Sequence, residues 1–60
     1  MIQIKDGNEW CYTVLKEADG RILYEVEVLG MVFYETVYPD HDRITRDYNY
    51  FEALLTFNKL

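Results

Sequence analysis

Residues 21–38 read RILYEVEVLGMVFYETVY, and the way Gly30 divides them decides the fold. As one piece this run would make an eighteen-residue strand, well beyond the usual length of about 3–10. Apolar side chains recur at every second position before the glycine (Ile22, Tyr24, Val26, Val28), the period of a β-strand. A tight hairpin at Leu29-Gly30 or Gly30-Met31 is predicted, because glycine accepts the positive φ that such turns require. A bulged, sharply bent long strand is the alternative, since the residues beside Gly30 are not polar.

Outward from this hairpin the signals are clearer. Asp19-Gly20 is a strong turn signal and sets off a strand at about 9–16, rich in Trp, Tyr, Thr and Val. Asp6-Gly7-Asn8 separates that strand from Ile2-Gln3-Ile4-Lys5. In the other direction Pro39 cannot donate to a ladder, and Asp40-His41-Asp42 favours a turn, so the sheet is expected to end at Tyr38. Room remains for a short extended piece at Ile44-Thr45. Beyond it the period changes. Tyr50, Ala53, Leu54, Phe57 and Leu60 are spaced by three and four, with Phe51 and Leu55 widening the stripe, which predicts an amphipathic helix over about 48–59. Asn49 followed by Glu52 fits a capping box, with Asp47 a rival N-cap. The expected fold is α+β, in one small domain over 1–60: a four-stranded antiparallel meander (about 2–5, 9–16, 21–29, 31–38) with the helix packed on one face.

Alternation assigns Ile2, Ile4, Trp10, Tyr12, Val14, Ile22, Tyr24, Val26 and Val28 to one face, the natural bed for the helix. The other face then shows Cys11, Thr13, Leu15, Leu23, Leu29, Met31, Phe33 and Val37, relieved by Glu25, Glu27 and Glu35. One helix covers one face, so the second is expected to carry an apolar patch, and such patches mark interaction surfaces. A second copy of the chain is the simplest occupant, giving a homodimer. The alternative is that strand curvature lets both faces reach one core.

Composition narrows the functions. Sixty residues bury too little surface for large stability, yet half the residues are hydrophobic and 17% aromatic, which excludes a disordered chain. The single cysteine, Cys11, permits no internal disulfide, and Cys11 with His41 is too few ligands for a structural zinc. The opening MIQIKDGNEW lacks the basic start and apolar run of a signal peptide, and no apolar stretch reaches membrane-spanning length, so a cytoplasmic protein is expected. The net charge of −5 is spread evenly over both halves and repels phosphate backbones and anionic lipid. Direct nucleic-acid binding and membrane association are therefore not expected.

The chemistry-bearing residues are few. Asp40-His41-Asp42 has the residue types of a general base or metal ligand, but neighbours on a turn seldom converge on one point, and a solvated acidic turn accounts for them. Cys11 lies inside a strand with no basic residue near it in sequence, as a packing residue does. Glu25, Glu27 and Glu35 read as edge-protecting charges, not as paired catalytic carboxylates. No phosphate loop, zinc spacing or nucleophile elbow is present, so no enzyme activity, metal or cofactor is expected. The glycine-turned hairpin, the strands around it and a helix bearing Phe51-Glu52-Ala53 resemble in layout, over about residues 9–60, the DNA-binding arm domains of phage-type integrases. That resemblance implies DNA binding through a basic sheet, and here the sheet carries Glu25, Glu27 and Glu35 instead.

The resulting expectation is a non-catalytic protein–protein interaction module. Within that class it is a small phage- or mobile-element-type inhibitor of a host enzyme, whose carboxylates imitate nucleic acid. Its interaction surface would comprise Leu23, Glu25, Glu27, Leu29, Met31, Phe33 and Glu35, with Tyr34, Tyr38, His41 and Tyr48 as further contacts to a ligand or partner. The alternative is a small-ligand-binding protein with a Tyr- and His-lined pocket at a dimer interface.

Overall fold

A computed structural model describes residues 1–59. It contains five strands, not four, in the order β1-β2-β3-β4-β5: β1 Ile2–Lys5, β2 Asn8–Ala18, β3 Arg21–Val28, β4 Met31–Tyr38 and β5 Arg43–Asp47. A 3-10 turn at Pro39–His41 joins β4 to β5, and helix α1 spans Tyr50–Asn58. All neighbouring strands are antiparallel. The fifth strand corrects the expectation that the sheet ends at Tyr38. Pro39 does stop β4, but Asp42 adopts a left-handed conformation (φ 50°) that folds the chain back beside it. Arg43–Asp47 carries only one aliphatic residue, Ile44, so hydrophobic alternation barely marks it.

Leu29-Gly30 is a two-residue hairpin turn closed by the pair Val28–Met31, with φ of 52° and 75°. The turns Asp6-Gly7 and Asp19-Gly20 share these positive φ values. Two of the three turns thus place aspartate in the left-handed position, and the third places leucine there. A non-glycine residue in that region costs roughly 1–2 kcal/mol, less for Asp or Asn, whose side chains bond locally. Leu29→Asn is therefore expected to stabilise the fold by about 1 kcal/mol, seen in urea denaturation as a higher midpoint at unchanged slope. An unchanged or lower midpoint would show that Leu29 makes a compensating contact.

Turn geometry also sets which side chains share a face. The two-residue turn at Asp6-Gly7 pairs Ile2 with Cys11 and Ile4 with Glu9, so Ile2 and Ile4 lie on the opposite side from Trp10 and Tyr12. A bulge between Val14 and Lys16 shifts the β2–β3 register and keeps Tyr12 opposite Val26. Val26 in turn pairs with Phe33. One face therefore carries Trp10, Tyr12, Tyr24, Val26, Val28, Phe33, Glu35 and Arg46. The other carries Cys11, Thr13, Leu23, Glu25, Glu27, Val32, Tyr34, Thr36 and Thr45.

The helix lies on the second face, the reverse of the expected arrangement. Ala53 and Phe57 bury Leu23, with Tyr34 and Leu54 alongside. Arg21 donates through Nε to the carbonyl of Phe57 and stacks its guanidinium over the same ring, at 4.8 Å from the centroid. Asn49 caps the helix by accepting from the backbone N–H groups of Phe51 and Glu52.

The first face is filled by its own side chains. Trp10 meets Phe33 edge to face at 5.8 Å, and Tyr12 meets Tyr24 at 5.6 Å. Lys5 donates to the Tyr12 hydroxyl and sits 4.7 Å from the Trp10 ring. Arg46 lies over Phe33 at 4.4 Å and reaches Trp10 from β5, across the width of the sheet. Tyr12, Val26, Val28 and Phe33 are buried by these contacts within one chain. Curvature, with bulky aromatics and cationic stems filling the hollow, leaves no place there for a helix and no reason to invoke a second chain.

At its floor Glu35, 5% exposed, accepts from Arg46 Nη2 at 2.9 Å. That hydrogen bond, supported by Tyr48 and opposed by burial, holds the Arg46 guanidinium above its ordinary pKa, so Arg46 stays charged at every pH the fold survives.

Candidate interaction surface

A nine-residue helix is about 13 Å long, roughly half the length of the eight-residue strands beneath it. It runs from the row Thr13, Glu25, Tyr34 and Asp47, where Tyr50 packs on Tyr34 at 5.7 Å, toward Arg21 at the far end. The cross-strand row beyond its start, Ile2, Cys11, Glu27 and Val32, has no helix over it.

Exposed apolar side chains concentrate at this end. Leu29 is 71% exposed and Met31 57%, with Val32 beside them. Phe51, 75% exposed, and Tyr50 stand at the start of the helix. Ile2 and Ile4 extend the patch along β1. Carboxylates of Glu9, Glu25, Glu27, Asp47 and Glu52 share these rows or adjoin them, and none forms an ion pair among the described residues. Lys5 and Arg46, the nearest cations by position on the strands, are turned onto the other face.

The residues expected to form one interaction surface do not lie together. Glu25, Glu27, Leu29 and Met31 reach solvent near the uncovered end. Leu23 is buried beneath the helix, Phe33 is buried on the opposite face, and Glu35 is buried there in its pair with Arg46. Substituting Phe33 by Glu would thus bury a carboxylate in the core. Tyr34, Tyr38, His41 and Tyr48 do not converge either. Tyr34 packs under Tyr50, Tyr48 rests against Phe33 on the other face, and only Tyr38 and His41 share a groove. Sequence reasoning missed Phe51 and Tyr50 as surface residues because it placed both in the apolar stripe of a longer helix.

That groove, about 580 Å³, lies between β5 and the last turn of α1 and is lined by Tyr38, His41, Arg43, Thr45, Thr56 and Lys59. Beneath it the Thr45 hydroxyl is buried without a hydrogen-bond partner, as is that of Thr36, its cross-strand neighbour. Orphaned buried donors cost about 1–3 kcal/mol each. Among the described residues no group of three His, Cys, Asp or Glu is placed to hold a metal ion, and no helix is long and apolar enough to cross a membrane.

No protein family model matches the chain, and no curated protein sequence or solved structure matches it either.

Proposed function

We propose that the protein is a non-catalytic interaction module that docks, through its uncovered end, onto a partner protein carrying an apolar pocket with a basic rim. The observation that carries this reading is Leu29. Its hairpin forgoes the aspartate that stands in the same position of the two other Gly turns, and the substitute is an apolar side chain held out in water. Local strain that gains nothing for the fold points to use elsewhere. Val32, Ile2 and Phe51 widen the contact, and the unpaired carboxylates around them select a basic surface. The nucleic-acid-binding cleft of an enzyme is such a surface, which keeps an inhibitor role within this reading. Self-pairing through the patch would set Glu25, Glu27 and Asp47 of one copy near those of the other, so a different protein is the better occupant.

The test uses affinity capture from host lysate with wild type, Leu29→Asn and Phe51→Glu. A glutamate at the second helical position suits the helix dipole, so the Phe51 variant should stay folded. The expected result is one stoichiometric partner with a basic surface, released by both variants and weakened when salt rises from about 0.05 to 0.5 M. Retention of that partner by both variants would rule out this end of the molecule. A wild-type dimer in light scattering that Leu29→Asn dissolves would make the patch a self-interface instead.

A further inference from the structure

We infer that the groove between β5 and α1 binds the phosphate group of a small phosphorylated molecule. The inference is independent of the docking surface, which lies at the other end of the helix. Four of the chain's six Lys and Arg residues are held by groups outside this groove: Lys5 by Tyr12, Lys16 over Phe57, Arg21 by Phe57 and Asp19, and Arg46 by Glu35. The remaining two, Arg43 and Lys59, both line this groove, and the chain's one histidine lines it with them. Among the described residues no carboxylate contributes to the lining. Neither Arg43 nor Lys59 forms an ion pair among the described residues. In a molecule of net charge −5, that is a local reversal of sign without an internal purpose.

The donors suit phosphate better than a carboxylate. Arg43 offers a planar fork held over the Tyr38 ring at 5.6 Å, and Lys59 offers a point charge. Tyr38 and Thr56 add hydroxyls. Together these exceed what two carboxylate oxygens accept and match three phosphate oxygens. Arg21 occupies the Phe57 carbonyl, which blunts the negative end of the helix dipole beside the groove. The volume falls within the roughly 300–1,000 Å³ of small-molecule sites. The surrounding negative field argues against a long polyanion, which would bring many phosphates near Glu and Asp, but bears little on one compact phosphate.

Amide chemical-shift titration with inorganic pyrophosphate, at fixed ionic strength, tests this. Shifts confined to Tyr38, His41, Arg43, Thr45, Thr56 and Lys59 are expected, with saturation below about 5 mM. Arg43→Gln and Lys59→Gln should each weaken binding about tenfold, and Lys16→Gln should leave it unchanged. No localised shift at about 5 mM, or equal shifts around Lys5 and Lys16, would overturn the proposal. So would tighter binding of a single-stranded DNA dodecamer at the same residues, which would make the groove part of a nucleic-acid surface.

Discussion

Phe57→Ala is expected to leave little folded protein in dilute buffer at room temperature. Phe57 is 2% exposed and links three things: the helix, Leu23 on β3, and Arg21, which holds both its carbonyl and its ring. Truncating a buried phenylalanine costs about 3–5 kcal/mol, because the transfer free energy is lost and the remaining gap fills only partly. A chain of this length has about 3–9 kcal/mol in all. The loss is therefore comparable with the whole stability, and Arg21 additionally loses the ring that covers its guanidinium. Far-ultraviolet circular dichroism and urea titration check this. A cooperative transition within about 1 kcal/mol of wild type would show that the helix contributes little to the fold.

The second large effect is expected on the opposite face. Arg46→Ala strips a buried carboxylate of its only ion-pair partner and uncovers Phe33 and Trp10 together. Breaking a buried pair from one side costs about 3–5 kcal/mol; Arg46 is itself 43% exposed, so water can reach Glu35 once it is gone, and about 2–3 kcal/mol is the better expectation. A double variant separates charge from packing. Arg46→Met combined with Glu35→Leu should recover much of the stability, because an apolar pair of similar volume needs no counter-charge. A double variant no more stable than Arg46→Ala would assign the loss to the uncovered rings.

The strands and the Gly turns were legible in the sequence because alternation and Asp-Gly pairs are local signals, and so was the helix with its Asn49 cap. The shared face of β2 and β3 was legible too: Trp10, Tyr12 and Val14 do lie with Tyr24, Val26 and Val28. The faces of β1 and β4 were not, because they depend on whether each turn inserts an even or odd number of residues. The two-residue turns put Ile2 and Ile4 opposite Trp10, and Phe33 and Glu35 beside Val26 and Tyr24. Filled by those side chains, that face left the helix the other one. β5 was missed because Arg43, Thr45, Arg46 and Asp47 are polar, although their role is to complete the sheet and bring Arg46 over the aromatic hollow. For the surface, Glu25, Glu27, Leu29 and Met31 could be read as exposed from the hairpin alone. The burial of Glu35 could not be read, since its partner lies on the strand that the sequence concealed.

Every ladder in this sheet joins strands that follow one another along the chain, and the longest connection any of them closes is the four residues between Tyr38 and Arg43. Closing such short loops loses little chain entropy, so each hairpin can form as soon as its second strand exists. Seating Phe57 near Arg21, thirty-six positions upstream, is the step by which the helix is joined to the finished sheet. During synthesis the sheet can therefore assemble in order behind the ribosome, and the last turn of the helix acts as the latch that commits the finished chain to its native state.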